Sequence, residues 1–134
     1  MKRAALFALL VTGAYGIAQG AGQNDDAARE AAIQWLQLID AGRYEEAASQ
    51  GSQEVRSFEE WLNPLKNQRA ALGRVNKRHL TVINHTSIVS GVPGVRDYYI
   101  IRFKTGFERK PAAAEKVTLT RIGCCWEVFE YRVE

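Results

Sequence analysis

The most reactive side chains in this sequence are two histidines, His79 and His85, and two adjacent cysteines, Cys124 and Cys125. Paired histidines can share a metal or relay a proton, and paired thiols can close a disulfide or ligate a soft ion. The spacing argues against each of these uses. His79 and His85 fall in one strand-like stretch, on a shared and solvent-facing parity. At ~3.3 Å per residue they stand ~20 Å apart. Adjacent Cα atoms are ~3.8 Å apart, below the ~4.4–6.8 Å usual for a disulfide, so a bond between Cys124 and Cys125 is disfavoured. A buried free cysteine is the favoured reading, with an intermolecular disulfide as the other outcome of two unpaired thiols. A zinc site from these four residues fails because adjacent cysteines lack the C-x₂₋₄-C spacing. There is no Ser-centred elbow, glycine-rich phosphate loop or paired-carboxylate motif. No catalytic residue, metal ligand or cofactor is therefore expected.

The element that must position any site is Asp97–Phe107, DYYIIRFKTGF. Tyr99, Ile101, Phe103, Thr105 and Phe107 form one nearly unbroken apolar row, the period-two pattern of a strand with a buried face. Three helices are expected before it. In the first, Ala28, Ala31/Ala32, Trp35, Leu36 and Leu38/Ile39 recur at three-to-four spacing after the capping residues Asn24, Asp25 and Asp26, and Gly42 ends it. A short second helix covers Tyr44–Ala48. Ser57 and Glu60 form a capping box for the third, which carries Trp61, should kink or break at Pro64 and ends at Gly73. The strands are expected at Arg74–Val89, Asp97–Phe107, Glu115–Arg121 and Cys125–Val133, with Val92-Pro-Gly94 and Ile122-Gly123 as turns. Helices followed by strands give an α+β fold, with three helices packed on one face of a four-stranded antiparallel sheet.

Residues Met1–Gly22 have a basic start at Lys2-Arg3, an apolar run from Ala4 and small residues at Gly16, Ala18, Gly20 and Ala21. This is the plan of a cleaved signal peptide, and the run is too short to span a membrane. The expected layout is a leader over 1–22 and one domain over 23–134. The expected product is periplasmic or secreted, with no stable membrane anchor once the leader is removed. The formal charge of +3 rests partly on Lys2 and Arg3. The remaining basic residues are scattered among acids rather than forming a stripe, so nucleic acid is not an expected partner.

WLQLIDAGRYEEA (Trp35–Ala47), Trp61, RAALG (Arg69–Gly73) and Arg78 resemble the exported bacterial family called domain of unknown function 4019. The resemblance continues through Tyr99–Phe103, Thr105, Phe107, Lys110, Glu115, Val117–Leu119, Trp126–Val128 and Tyr131, and so covers roughly residues 26–133. The order of elements is similar to nuclear-transport-factor-2-like folds, in which a curved sheet forms a cone around a helix. Two departures are Arg96-Asp97-Tyr98, where the family has a glycine-containing turn, and Glu130, where it has Gly.

The resemblance implies no activity, but it singles out Asp40, Arg69, Arg78 and Glu115 as polar positions matching the family. Enzymes of the cone fold use an Asp or His as general base in apolar surroundings. A helix-end ion pair equally accounts for Asp40, and a helix-to-sheet salt bridge accounts for Arg69 with Glu115. With Trp35 and Trp61, which read first as core and second as cavity walls, these are the candidate ligand-binding residues. The expected function is a non-catalytic module binding a small ligand or a partner protein; the alternative is a small isomerase or hydrolase using an acid/base residue in the cone. Tyr98, Ile100, Phe129 and Tyr131 read as apolar positions on the sheet's outer face. A homodimer through that face is the expected use, unless the Val89–Arg96 connection or the cone's own curvature covers them.

Overall fold

The computed structural model describes residues 21–134, so the signal-peptide reading of Met1–Gly22 lies outside the described residues except for its last two positions. Three helices, α1 (Ala21–Asp40), α2 (Tyr44–Ser49) and α3 (Phe58–Leu72), precede four strands, β1 (Val75–Thr86), β2 (Tyr98–Phe107), β3 (Lys110–Ile122) and β4 (Cys125–Val133). The strands form one antiparallel sheet in the order β1-β2-β3-β4, and the sheet does not close. The fold is α+β, as the sequence of elements predicts.

Local chemistry explains most of the boundaries. Gly42, at φ +75°, ends α1 in a Schellman arrangement. Its N–H donates to the Ile39 carbonyl, and the Arg43 N–H donates to that of Leu38. Both halves of the Ser57/Glu60 capping box are present at the start of α3. Two helical expectations are corrected. Asn24, Asp25 and Asp26 lie inside α1 rather than capping it. Helix α3 runs through Pro64 without a break, since proline forfeits only the bond to Glu60 and the capping box secures the turn before it.

The core lies between α1 and the sheet. Trp35, Leu36 and Ile39 of α1 pack with Tyr99, Ile101, Phe103, Val117 and Leu119, and Ala47, Ala48, Trp61 and Leu65 close the cluster from α2 and α3. Each large apolar side chain so buried stabilises by about 1.5–3 kcal/mol, far more than helix propensity supplies. Between α2 and α3 the chain runs beside β4. Gly51 makes a parallel bridge to Val128, the Ser52 N–H donates to the Val128 carbonyl, and the Val128 N–H donates to that of Gln50. Gly51 is buried with the Trp61 ring directly over it. A Cβ there would stand 2.5 Å from the indole.

Bulges change which face several side chains take. In β1 the register shifts between Leu80 and Val82. His79 therefore pairs with Lys104 on the outer face, whereas His85 pairs with Tyr99 and stacks on its ring on the helical side. The expectation that both histidines share a face is corrected; the extra residue at Thr81 reverses the alternation. In β4 the shift opposite Thr118/Leu119 lets Trp126, Val128 and Tyr131 all pack against the helical core, leaving Phe129 on the outer face. Tyr131 was expected on Phe129's side. Strand β1 also stops at Thr86, so Ile88 lies outside it and is exposed.

Strand β3 begins at Lys110, not Glu115, because Glu108-Arg109 forms a two-residue connection and Phe107 pairs with Lys110. Pro111 is tolerated within the strand because it sits at the register shift between Thr105 and Phe107, where ladder bonds are interrupted. On the outer face, Tyr98 and Phe129 are fully buried and meet edge to face. They are covered by the chain's own connection: the Tyr98 hydroxyl reaches the Pro93 and Gly94 carbonyls, and the Arg96 guanidinium lies over the Phe129 ring. The apolar outer positions that motivate a dimer are thus covered within one chain at this end.

Candidate functional site

Of the six candidate residues, the two tryptophans are core. Trp35 and Trp61 are buried, and each donates its indole N–H to a backbone carbonyl, Ala47 and Ser52 respectively, both at 2.9 Å. A buried indole needs such a partner, and these bonds fix both rings as packing elements.

The four charged candidates meet in one network where the C-terminal end of α1, the last turn of α3, β1 and β3 converge. Asp40, just before the Schellman turn, accepts from Arg69 at 2.8 Å and from two nitrogens of Arg78 at 2.7 and 3.1 Å. Arg78 also donates its Nε to Glu115 at 2.7 Å. Glu115 is completely buried, and its carboxylate further accepts from the hydroxyls of Thr105, at 2.6 Å, and Tyr131. The expected direct pair between Arg69 and Glu115 is corrected. Arg69 pairs with Asp40 and packs over the Phe107 ring, and Arg78 is the bridge to Glu115. The bridging follows from register: Arg78 stands opposite Thr105, whose neighbour in β3 register is Ala113, two residues from Glu115.

Two carboxylates face two guanidiniums, so the cluster is neutral as a unit. Burial works against the ionised Asp40, but hydrogen bonds and charge from Arg78 and Arg69 outweigh it and hold its pKa below the ordinary value. Burial likewise opposes the Arg78 cation, and its bonds to Asp40 and Glu115 more than restore it. Burial, followed by the charge and hydrogen bond of Glu115, raises Tyr131 well above the usual phenol range. Both Glu115 oxygens are occupied from within the chain, and Asp40 retains only 27 % of its side-chain exposure. The arrangement binds charge to charge. It leaves no carboxylate oxygen of Glu115 facing a cavity from which it could take a substrate proton.

Sequence reasoning missed Tyr131 and Thr105 as members of this network. Thr105 lies on the buried row of β2, but the β4 bulge that brings Tyr131 inward has no signature in the sequence pattern. The reactive residues first noted lie elsewhere. His85 is exposed and paired with Asp97, and His79 is exposed on the outer face. Among the described residues no three His, Cys, Asp or Glu side chains gather as metal ligands.

Cys124 and Cys125 are both exposed and are joined in a disulfide, which corrects the reading of a buried free thiol. The reason is local. Ile122 pairs with Cys125, so Gly123-Cys124 is the two-residue hairpin loop, with Gly123 at φ +62° in the position that a type II′ turn reserves for glycine. Cys124 is thus a turn residue, one place before β4 begins at Cys125. No curated protein matches the chain. The family described as Protein of unknown function (DUF4019) matches residues 31–131, which holds every member of the charge network and the Cys124–Cys125 pair, and the chain belongs to that family.

Proposed function

We propose that this protein is a non-catalytic binding module of the periplasm or extracellular space, taking a small ligand or a partner protein. The observation that carries this reading is the pairing of both carboxylates of the charge cluster with arginines of the same chain. An acid/base catalyst needs a carboxylate that readily takes up a proton at a substrate cavity. Asp40 borders a cavity, but Arg78 and Arg69 hold its pKa below the ordinary value, and Glu115 is buried with Arg78, Thr105 and Tyr131 as its donors. Such a cluster suits the clamping of helices to sheet. The leader-like composition of Met1–Gly22 supports export. We further read the bulged sheet around α1 as related to the cone of nuclear-transport-factor-2-like folds, because bulges bend a sheet toward the element it covers.

The test is incubation of the purified protein with a small-molecule extract, followed by mass spectrometry of both bound and free compounds over time. Stoichiometric retention of an unchanged compound is expected. Time-dependent conversion that disappears in Glu115→Gln or Asp40→Asn would overturn the reading. Export is tested separately by the mass of the protein recovered from the periplasm, where an intact leader would sink it.

A further inference from the structure

Between α1 and the β3–β4 hairpin lies a cleft of about 290 Å³ whose walls, among the described residues, include no charged one. Four other surface cavities among the described residues each include at least two charged side chains. The floor of this cleft is Trp35 and Leu119, and one side is Trp126, which is half-buried. Gln34 and Gln50 stand exposed at the rim, and the Cys124–Cys125 disulfide also borders the cleft. Trp35 and Trp61 spend their indole N–H groups on backbone carbonyls, whereas no such bond is found for Trp126 among the described residues.

We propose that this cleft binds a single neutral sugar ring, packed against Trp126 and the Cys124–Cys125 disulfide. The proposal rests on the reading of the protein as a binding module and names the ligand class. A charged ligand would lose hydration here with no counter-charge to replace it, which selects an uncharged one. Indole and disulfide sulfur offer polarisable, apolar surface suited to the C–H face of a ring. The two glutamine amides offer both donors and acceptors to hydroxyls at the ring's edge. The volume is near the lower limit of small-molecule sites, roughly 300 Å³, which suits one ring rather than a chain of them.

The disulfide lip also makes binding depend on oxidation state. A dithiol reductant passes two electrons and two protons to the Cys124–Cys125 bond, leaving two thiols and becoming a disulfide itself. The sulfur atoms are then no longer tied together, and one wall of the cleft is lost.

The test uses the intact protein with glucose, galactose and N-acetylglucosamine as neutral probes, and glucosamine and glucuronate as charged ones. Binding is followed by calorimetry and tryptophan fluorescence. Saturable binding of at least one neutral sugar is expected, roughly tenfold tighter than its charged counterpart. Trp126→Phe and Gln50→Ala should each weaken it several-fold, and so should reduction by dithiothreitol. Gln50 is exposed, so its substitution reports on binding without unfolding the protein. Failure of every neutral sugar to bind in the oxidised protein would overturn the proposal and leave the binding-module reading intact. Binding unchanged in both variants would overturn it equally, by placing the sugar elsewhere. Conversion of a bound sugar to product would support the cleft and overturn the non-catalytic reading.

Discussion

At the C-terminal end of α1 the chain packs four charged side chains against one another, whereas beside the middle of α1, against the β3–β4 hairpin, it leaves a cleft with none. Trp35 belongs to both regions. Its ring lines the uncharged cleft and meets edge to face, 5.2 Å away, the Tyr131 ring whose hydroxyl ends on Glu115. The difference teaches where polar residues act as structure and where they remain free to act on something else. At the charged end every carboxylate is answered from within, so substitution there should be felt as stability. At the uncharged end the polar groups sit on the rim, so substitution there should be felt as binding.

Breaking the charged end gives the largest expected effect. Arg78→Met leaves Glu115 buried without a cation and removes half of Asp40's partners, and should cost about 3–5 kcal/mol in urea or guanidinium unfolding. A loss below about 1 kcal/mol would mean that the network is not a clamp. Gly51→Ala tests the packing of α3 on the segment that runs beside β4. Its new methyl group would meet the Trp61 ring, for an expected cost of about 1–3 kcal/mol read as a drop in Tm.

The charged end should make stability pH-dependent at both extremes. Asp40 has a depressed folded-state pKa, so its contribution is present above the ordinary carboxylate value of about 3.9 and is lost as pH falls through the lower folded value. Asp40→Asn should flatten the stability curve below about pH 4. Tyr131 has the opposite sign. Its raised pKa gives a contribution present below the ordinary phenol value of about 10 and lost as pH rises beyond it. Tyr131→Phe should flatten that alkaline limb. Identical curves for parent and variants would sever the link between these residues and the cluster. Smallest of all, Gln50→Ala should change stability by no more than about 0.5 kcal/mol, as measured by denaturant midpoint. A larger loss would make the rim structural and erase the contrast between the two regions.

Much of the charged end was legible in the sequence through Asp40, Arg69, Arg78 and Glu115, because those positions carry the family resemblance. Their wiring was not. Which arginine reaches Glu115 depends on strand register, and register depends on bulges that hydrophobic alternation does not reveal. The same cause placed His79 and His85 on opposite faces and turned Tyr131 inward. The helices were easier to read, because Ser57, Glu60, Gly42 and Gly73 punctuate them by chemistry that acts within one or two turns. The cleft at the hairpin was hidden by the expectation that Cys124 and Cys125 would not bond to each other. Gly123 marked the turn, but not that the turn would include the cysteine after it.

The passage of residues 50–52 alongside β4 bears on how copies of this chain can meet. A free strand edge is a template on which another chain can lay its own strand, and growth into a fibre requires such a template at both ends of the sheet. At β4 the Gln50 carbonyl and Ser52 N–H already occupy the groups of Val128, so that edge is blocked at its middle. Among the described residues the β1 edge has no such cover, and the bulge near Thr81 twists it. Blocking one of its two edges in this way removes half of what a sheet needs for continuous strand-to-strand growth.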